Sequence, residues 1–95
     1  MAMLLASLSV SLRLYASSSL KEKRFVVQSV KRRLRNRFNV AVCETDGHDS
    51  WKSAELALVT VGRDRAAVDR ELEAVTRFLD RDARFEVVDR VAEYF

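Results

Sequence analysis

The chain has no proline, two glycines, one cysteine and one histidine. Each shortage removes a class of explanation. A single cysteine, Cys43, cannot form an intramolecular disulfide, so a disulfide-stapled scaffold is excluded and a reducing, cytoplasmic setting is expected. Gly47 and Gly62 stand alone, so no glycine-rich loop is present to cradle a phosphate. One Cys and one His are too few for structural zinc, and Asp46-x-His48 does not follow the spacing of a calcium loop; no metal and no cofactor are expected. No apolar run approaches the roughly 18 residues that a membrane helix needs. The opening MAMLLASLSVSLRLYASSS has an apolar middle, but no Lys or Arg precedes it and Arg13 interrupts it. Its residues alternate, which is the habit of a strand and not of a signal peptide.

What is present is a 95-residue chain, the size of one domain spanning 1–95. Leu4, Ala6, Leu8, Val10, Leu12 and Leu14 occupy every even position, with Ser7, Ser9, Ser11 and Arg13 between them, which predicts a strand with one buried face. Ser19 and Glu22 have the S-x-x-E spacing of a capping box, so a helix is expected to start there, with Leu20, Val27, Val30, Leu34 and Phe38 on its buried stripe. NVAVCE at 39–44 and AELALVTV at 54–61 read as strands, separated by the turn-forming TDGHDSWK at 45–52. Gly62 and Asp64 mark a second helix start, and Val68, Leu72, Val75 and Leu79 give that helix its stripe. FEVVDRV at 85–91 makes a fourth strand. The order β-α-β-β-α-β predicts the α+β, ferredoxin-like, open-faced sandwich: a four-stranded antiparallel sheet with two helices on one face.

Charge is distributed unevenly along this order. Residues 19–38 carry eight Lys or Arg against Glu22, a balance of +7 where the whole chain is +3, so the remainder sums to −4. On a helical wheel Lys21, Arg24, Gln28, Lys31, Arg32 and Arg35 fall within an arc of about 100° beside the apolar stripe, and Arg33 and Arg37 lie on the other flank. Such a ridge suits the phosphates of a nucleic-acid strand. Phe25, on the solvent side, is placed to stack on a base. The serines at 17–19, at the positive end of the helix dipole, offer a further anion contact. The plainer reading is a solvated face, or cations paired with Asp69, Glu71 and Glu73 of the second helix.

The uncovered sheet face is predicted to carry Ser7, Ser9, Ser11, Ala41, Cys43, Ala57, Val59 and Val61. It lacks the aromatics of an RNA-recognition sheet, so any RNA contact should be to phosphates and should weaken with salt. Ala41, Ala57, Val59 and Val61 instead form a flat apolar patch that a homodimer would bury, unless the C-terminal VAEYF folds over it. Trp51 is expected to anchor the 45–52 loop on the core edge. Cys43 and His48 are nominally a nucleophile–base pair, but a strand cysteine with no activating neighbour is a poor nucleophile. Acylphosphatases share the architecture, yet YASSSLKEKR lacks their glycine-rich phosphate loop. A non-enzyme is expected, with no small-molecule substrate evident.

SLKEKR at 19–24, RLRNRFNVAV at 33–42, the spacing of His48, Trp51, Ala54, Glu55 and Leu56 in GHDSWKSAEL, and VGRDRAAV at 61–68 resemble the small bacterial family typified by YlxP. Phe25 departs from it where a polar or basic residue is usual, and Ser50 and Ser53 depart where bulkier ones are common. The resemblance implies the same ferredoxin-like fold. Through the family's genomic neighbourhood among ribosome-associated factors, it also implies RNA or a ribosomal particle as partner. The expectation is a binding module that contacts RNA through Lys21, Arg24, Lys31, Arg32 and Arg35, with Phe25 stacking. The alternative is a dimerisation or protein-interaction module using the sheet face.

Overall fold

The computed structural model describes residues 2–95. The elements follow in the order β1 (Leu4–Leu14), α1 (Leu20–Arg37), β2 (Val40–Asp46), β3 (Ser53–Gly62), α2 (Arg65–Asp80) and β4 (Phe85–Tyr94). The strands form one sheet in the order β2-β3-β1-β4, with every neighbouring pair antiparallel. Both helices lie on one face, as the ferredoxin-like expectation required. Among the described residues no helix is long and apolar enough to cross a membrane.

Alternation in β1 decides which way the sheet faces. Ala6, Leu8, Val10, Leu12 and Leu14 are all buried, and they meet Val27, Val30 and Leu34 of α1 and Val68, Leu72, Val75 and Leu79 of α2. A one-residue slip would turn that entire row to solvent, so the apolar pattern enforces the register. Each helix begins at the cap its sequence announces. The Glu22 amide donates to Ser19 Oγ at 3.1 Å, and the Ala67 amide donates to Asp64 Oδ1 at 2.8 Å.

Two terminal expectations change. β4 continues three residues past Val91, and the Phe95 amide then donates to the Leu5 carbonyl at 2.8 Å. The C-terminal segment therefore prolongs a sheet edge instead of folding across the open face, because its backbone groups find partners on β1. Along β4 a register shift opposite Ser11 and Leu12 leaves Val88 as the extra residue.

Candidate nucleic-acid interface

α1 presents its outer side as a row of cations. Lys21, Arg24, Arg32 and Arg35 are exposed, Lys31 is half-buried, and Phe25 stands among them at 73% exposure. From Lys21 to Arg35 the row runs about 21 Å at the helical rise of roughly 1.5 Å per residue. The ion pairs among the described residues join Arg13–Glu86, Lys23–Glu44, Arg65–Asp69, Arg77–Glu73, Arg84–Asp82 and Arg90–Asp80. Lys21, Arg24, Lys31, Arg32 and Arg35 have no part in them. The acidic side chains of α2 are engaged elsewhere: Asp69 with Arg65, Glu73 with Arg77, and Glu71 as acceptor for the Asn39 amide at 2.8 Å. Pairing of the ridge with α2 is therefore absent.

One member of the row has a second task. Arg35 donates from a terminal guanidinium nitrogen to the Val42 carbonyl at 3.1 Å, tying α1 to β2. Its side chain is held in place by that bond, while Lys21, Arg24, Lys31 and Arg32 make no side-chain hydrogen bond among the described residues.

The start of α1 does not offer the anion contact its serines suggested. Glu22 turns its carboxylate back onto the Ser18 amide at 2.9 Å and the Ser18 hydroxyl at 3.1 Å. Ser17 Oγ donates to the Ser19 carbonyl. The positive end of the helix dipole is already filled by the chain's own carboxylate, which lowers its value to an outside anion.

Lys23 is the residue that the sequence reading missed. Its side chain is 1% exposed, and its ammonium donates to Glu44 Oε2 and to the Gly47 carbonyl, each at 2.7 Å. A charge at this depth persists only when paired and hydrogen-bonded, and both conditions hold. The signal was present: Lys23, Val27, Val30 and Leu34 follow one another at steps of four, three and four, the spacing of a buried stripe. Lys23 also does the work expected of Trp51. It fixes the turn after β2 through Gly47, whose φ of 78° is the left-handed conformation glycine tolerates best. Trp51 itself is 51% exposed and anchors nothing in the core. Glu44 faces Lys23 while His48 and Asp49 are exposed, so the polar residues of this loop do not converge.

On the open sheet face, register places Ala41 opposite Val59 and Cys43 opposite Ala57, with Val61 beside Leu5. Val59 and Val61 are 41% and 44% exposed, and Cys43 is a free, exposed thiol. The rest of the face is mixed, with the exposed Val91 opposite Ser9, Arg13 paired with Glu86, and three carboxylates. Ser7 pairs with Glu93, and Ser11 lies between Glu55 and Asp89, donating to Glu55 Oε2 at 2.6 Å. The carboxylates of this face are missing from the sequence reading: Glu55 shares the alternation of Ala57 and Val59 and was legible, whereas Asp89 and Glu93 depend on the register of β4 across the bulge.

Comparison with known proteins agrees with this architecture. The sequence profile of the DUF503 family, described as "Protein of unknown function (DUF503)", matches residues 5–91. The chain belongs to this family. A relative, the uncharacterized protein YlxP of Bacillus subtilis (strain 168), is 32% identical over 82 residues, covering 86% of this chain and 89% of that one. The YlxP-like resemblance read from the motifs is thus met. Among solved structures, the de novo designed protein Foldit4 is similar with a TM-score of 0.54 at 10% identity, covering 98% of this chain and 96% of that one. A dimeric ferredoxin-like protein of unknown function from Thermobifida fusca YX is similar with a TM-score of 0.52 at 16% identity, covering 100% of this chain and 92% of that one. At such identities the structural likenesses show the fold alone.

Proposed function

We propose that the chain is a non-catalytic binding module that holds RNA, in the form of a ribosomal particle, by its phosphates along the outer side of α1. The observation that carries this reading is a row of cations without carboxylate partners, Lys21, Arg24, Lys31 and Arg32, beside an exposed Phe25. Arg35 adds charge at the far end while bracing α1 on β2. A row of about 21 Å is long enough to meet several successive phosphates of one strand. Glu55, Asp89 and Glu93 on the open sheet face disfavour RNA there and so favour α1. Contact is to backbone and not to base edges, apart from stacking on Phe25.

Sedimentation of lysate at low and high salt tests the reading, with purified RNA binding beside it. The wild-type chain is expected to travel with ribosomal particles at low salt only, with a slope of log K against log salt of about −3, as four to five single-strand phosphate contacts imply. The triple variant Lys31→Glu, Arg32→Glu, Arg35→Glu is expected to abolish retention. Free migration of the wild type at low salt would refute the proposal.

A second reading rests on the exposed Val59 and Val61, which with Ala41 and Ala57 form a flat apolar end of the sheet. A homodimer through this face would remove them from water, and a structural neighbour is itself described as dimeric. The variant Val59→Glu, Val61→Glu is expected to convert dimer to monomer by light scattering while leaving α1 unaffected. A wild-type monomer at high concentration ends this reading.

A further inference from the structure

The flank of α1 turned toward α2 carries a separate concentration of charge. An open cavity of about 530 Å³ lies between the helices, and Arg33 and Arg37 of α1, Arg77 of α2, and Arg81 and Arg84 beyond its end all line it. This is within the roughly 300–1,000 Å³ range of small-ligand sites.

The five guanidiniums differ in what holds them. Arg84 is closed, its Nε and a terminal nitrogen donating to the two Asp82 oxygens at 2.9 and 2.7 Å. Arg77 meets Glu73 only at 4.0 Å. Arg37 lies over two rings, 5.1 Å from the centroid of Phe78 and 5.9 Å from that of Phe38, and the rings pack edge to face at 5.6 Å. Arg33 and Arg81 belong to none of the ion pairs among the described residues. The hydrogen bond from Arg84 depresses the Asp82 carboxyl below its ordinary range against the opposing effect of burial, and Arg33 adds to this through space.

Helix dipoles favour Arg37 and Arg77 in the last turns of α1 and α2. They do not account for Arg33 a turn earlier, or for the meeting of both helices' cations on one cavity. Like charges gathered this way repel, and a compact anion of several charges relieves that repulsion. Arginine's planar fork matches phosphate oxygens two at a time, and the rings beneath Arg37 restrict it before any ligand arrives. We propose that this interhelical groove binds a di- or triphosphate group, carried by a free nucleotide or by the 5′ end of an RNA. The proposal is independent of the ridge, which lies on the other flank of α1.

Isothermal titration calorimetry of the full chain with inorganic pyrophosphate is the test. Wild type is expected to bind it, and Arg33→Gln and Arg81→Gln to weaken binding on the order of tenfold each, the scale of a lost charged hydrogen bond. The ridge variant Lys31→Gln, Arg32→Gln is expected to bind pyrophosphate as wild type does. Arg33→Lys keeps the charge and loses the fork, so it weakens binding even where Arg33→Gln fails to fold. A nucleoside diphosphate and an RNA bearing a 5′-triphosphate, with its 5′-hydroxyl counterpart, separate the two sources: whichever binds more tightly names the carrier. Absence of pyrophosphate binding at millimolar concentration, or equal losses from groove and ridge variants, would overturn the assignment.

Discussion

The two helices are both rich in charge and use it in opposite ways. α2 closes most of its charges on itself and its neighbours, Arg70 excepted. Arg65 pairs with Asp69 at 3.2 Å and Arg77 with Glu73 at 4.0 Å, both one turn apart, and Asp80 reaches Arg90 of β4 at 2.8 Å. Arg65 also lies 3.6 Å from the centroid of the Tyr94 ring, and the Tyr94 hydroxyl donates to Asp69. That hydrogen bond, with help from Arg65, holds the Asp69 carboxyl below its ordinary range despite partial desolvation. α1 has Glu22 as its one carboxylate, turned back onto Ser18. Spacing of opposite charges at three or four residues cancels the outward field of a helix, and their absence leaves it intact.

This contrast can be broken in three places. The largest effect is expected at Lys23, where α1's buried cation behaves as α2's charges do. Lys23→Ala strands Glu44 and the Gly47 carbonyl and should lower stability by about 3–5 kcal/mol in urea unfolding. Lys23→Met with Glu44→Leu should restore most of that loss, since an apolar pair of similar volume replaces a buried ion pair at little cost. Failure of the double variant to recover would mean that the Gly47 turn, and not the charge pair, is what Lys23 supports.

A smaller effect separates the helices by salt dependence. Neutralising Lys31 and Arg32 to Gln should flatten the salt slope of RNA binding by about 1.4, at roughly 0.7 per phosphate contact. Neutralising Arg65 of α2 and Arg90, which pairs with Asp80 of α2, should leave it unchanged, because those charges already have partners. Equal changes from both pairs would show that net charge alone drives the binding.

The smallest effect concerns Asp82 and acid stability. Its folded pKa is depressed, chiefly by Arg84, so its contribution exists above the unfolded value near 3.9 and is lost as pH falls through the folded value. Asp82→Asn should cost about 0.5 kcal/mol at neutral pH, the scale of a partly screened pair, and nothing once the wild-type carboxyl is protonated. A cost that persists in acid would assign Asp82 a role other than its ion pair.

Much of the fold was legible because it depends on period and punctuation. Even positions of β1, the stripe of α2, and the caps at Ser19 and Asp64 are local patterns, and the structure follows them. The ridge was legible for the same reason, since a wheel places Lys21, Arg24, Lys31 and Arg32 together without knowledge of the sheet. Less was legible at the site. Lys23 was read with its charge class and not its position in the stripe, and the partner that makes its burial tolerable lies 21 residues away. Trp51 was read as an anchor from its size, yet a loop already pinned by Lys23 leaves it half exposed. The serines before α1 look like free donors in sequence, yet Ser18 meets the Glu22 carboxylate, Ser17 the Ser19 carbonyl, and Ser19 accepts from the Glu22 amide.

By itself, then, the order of residues determined the elements, the buried faces and the outward row of cations on α1, since each is set by spacing along a single element. Tertiary structure alone decided which charges stay free. It brought Glu44 to Lys23, Val42 to Arg35, and the arginines of two helices to one cavity. Whether a charge is cancelled depends on what lies within about 4 Å of it in space, and packing, not sequence distance, sets those neighbours.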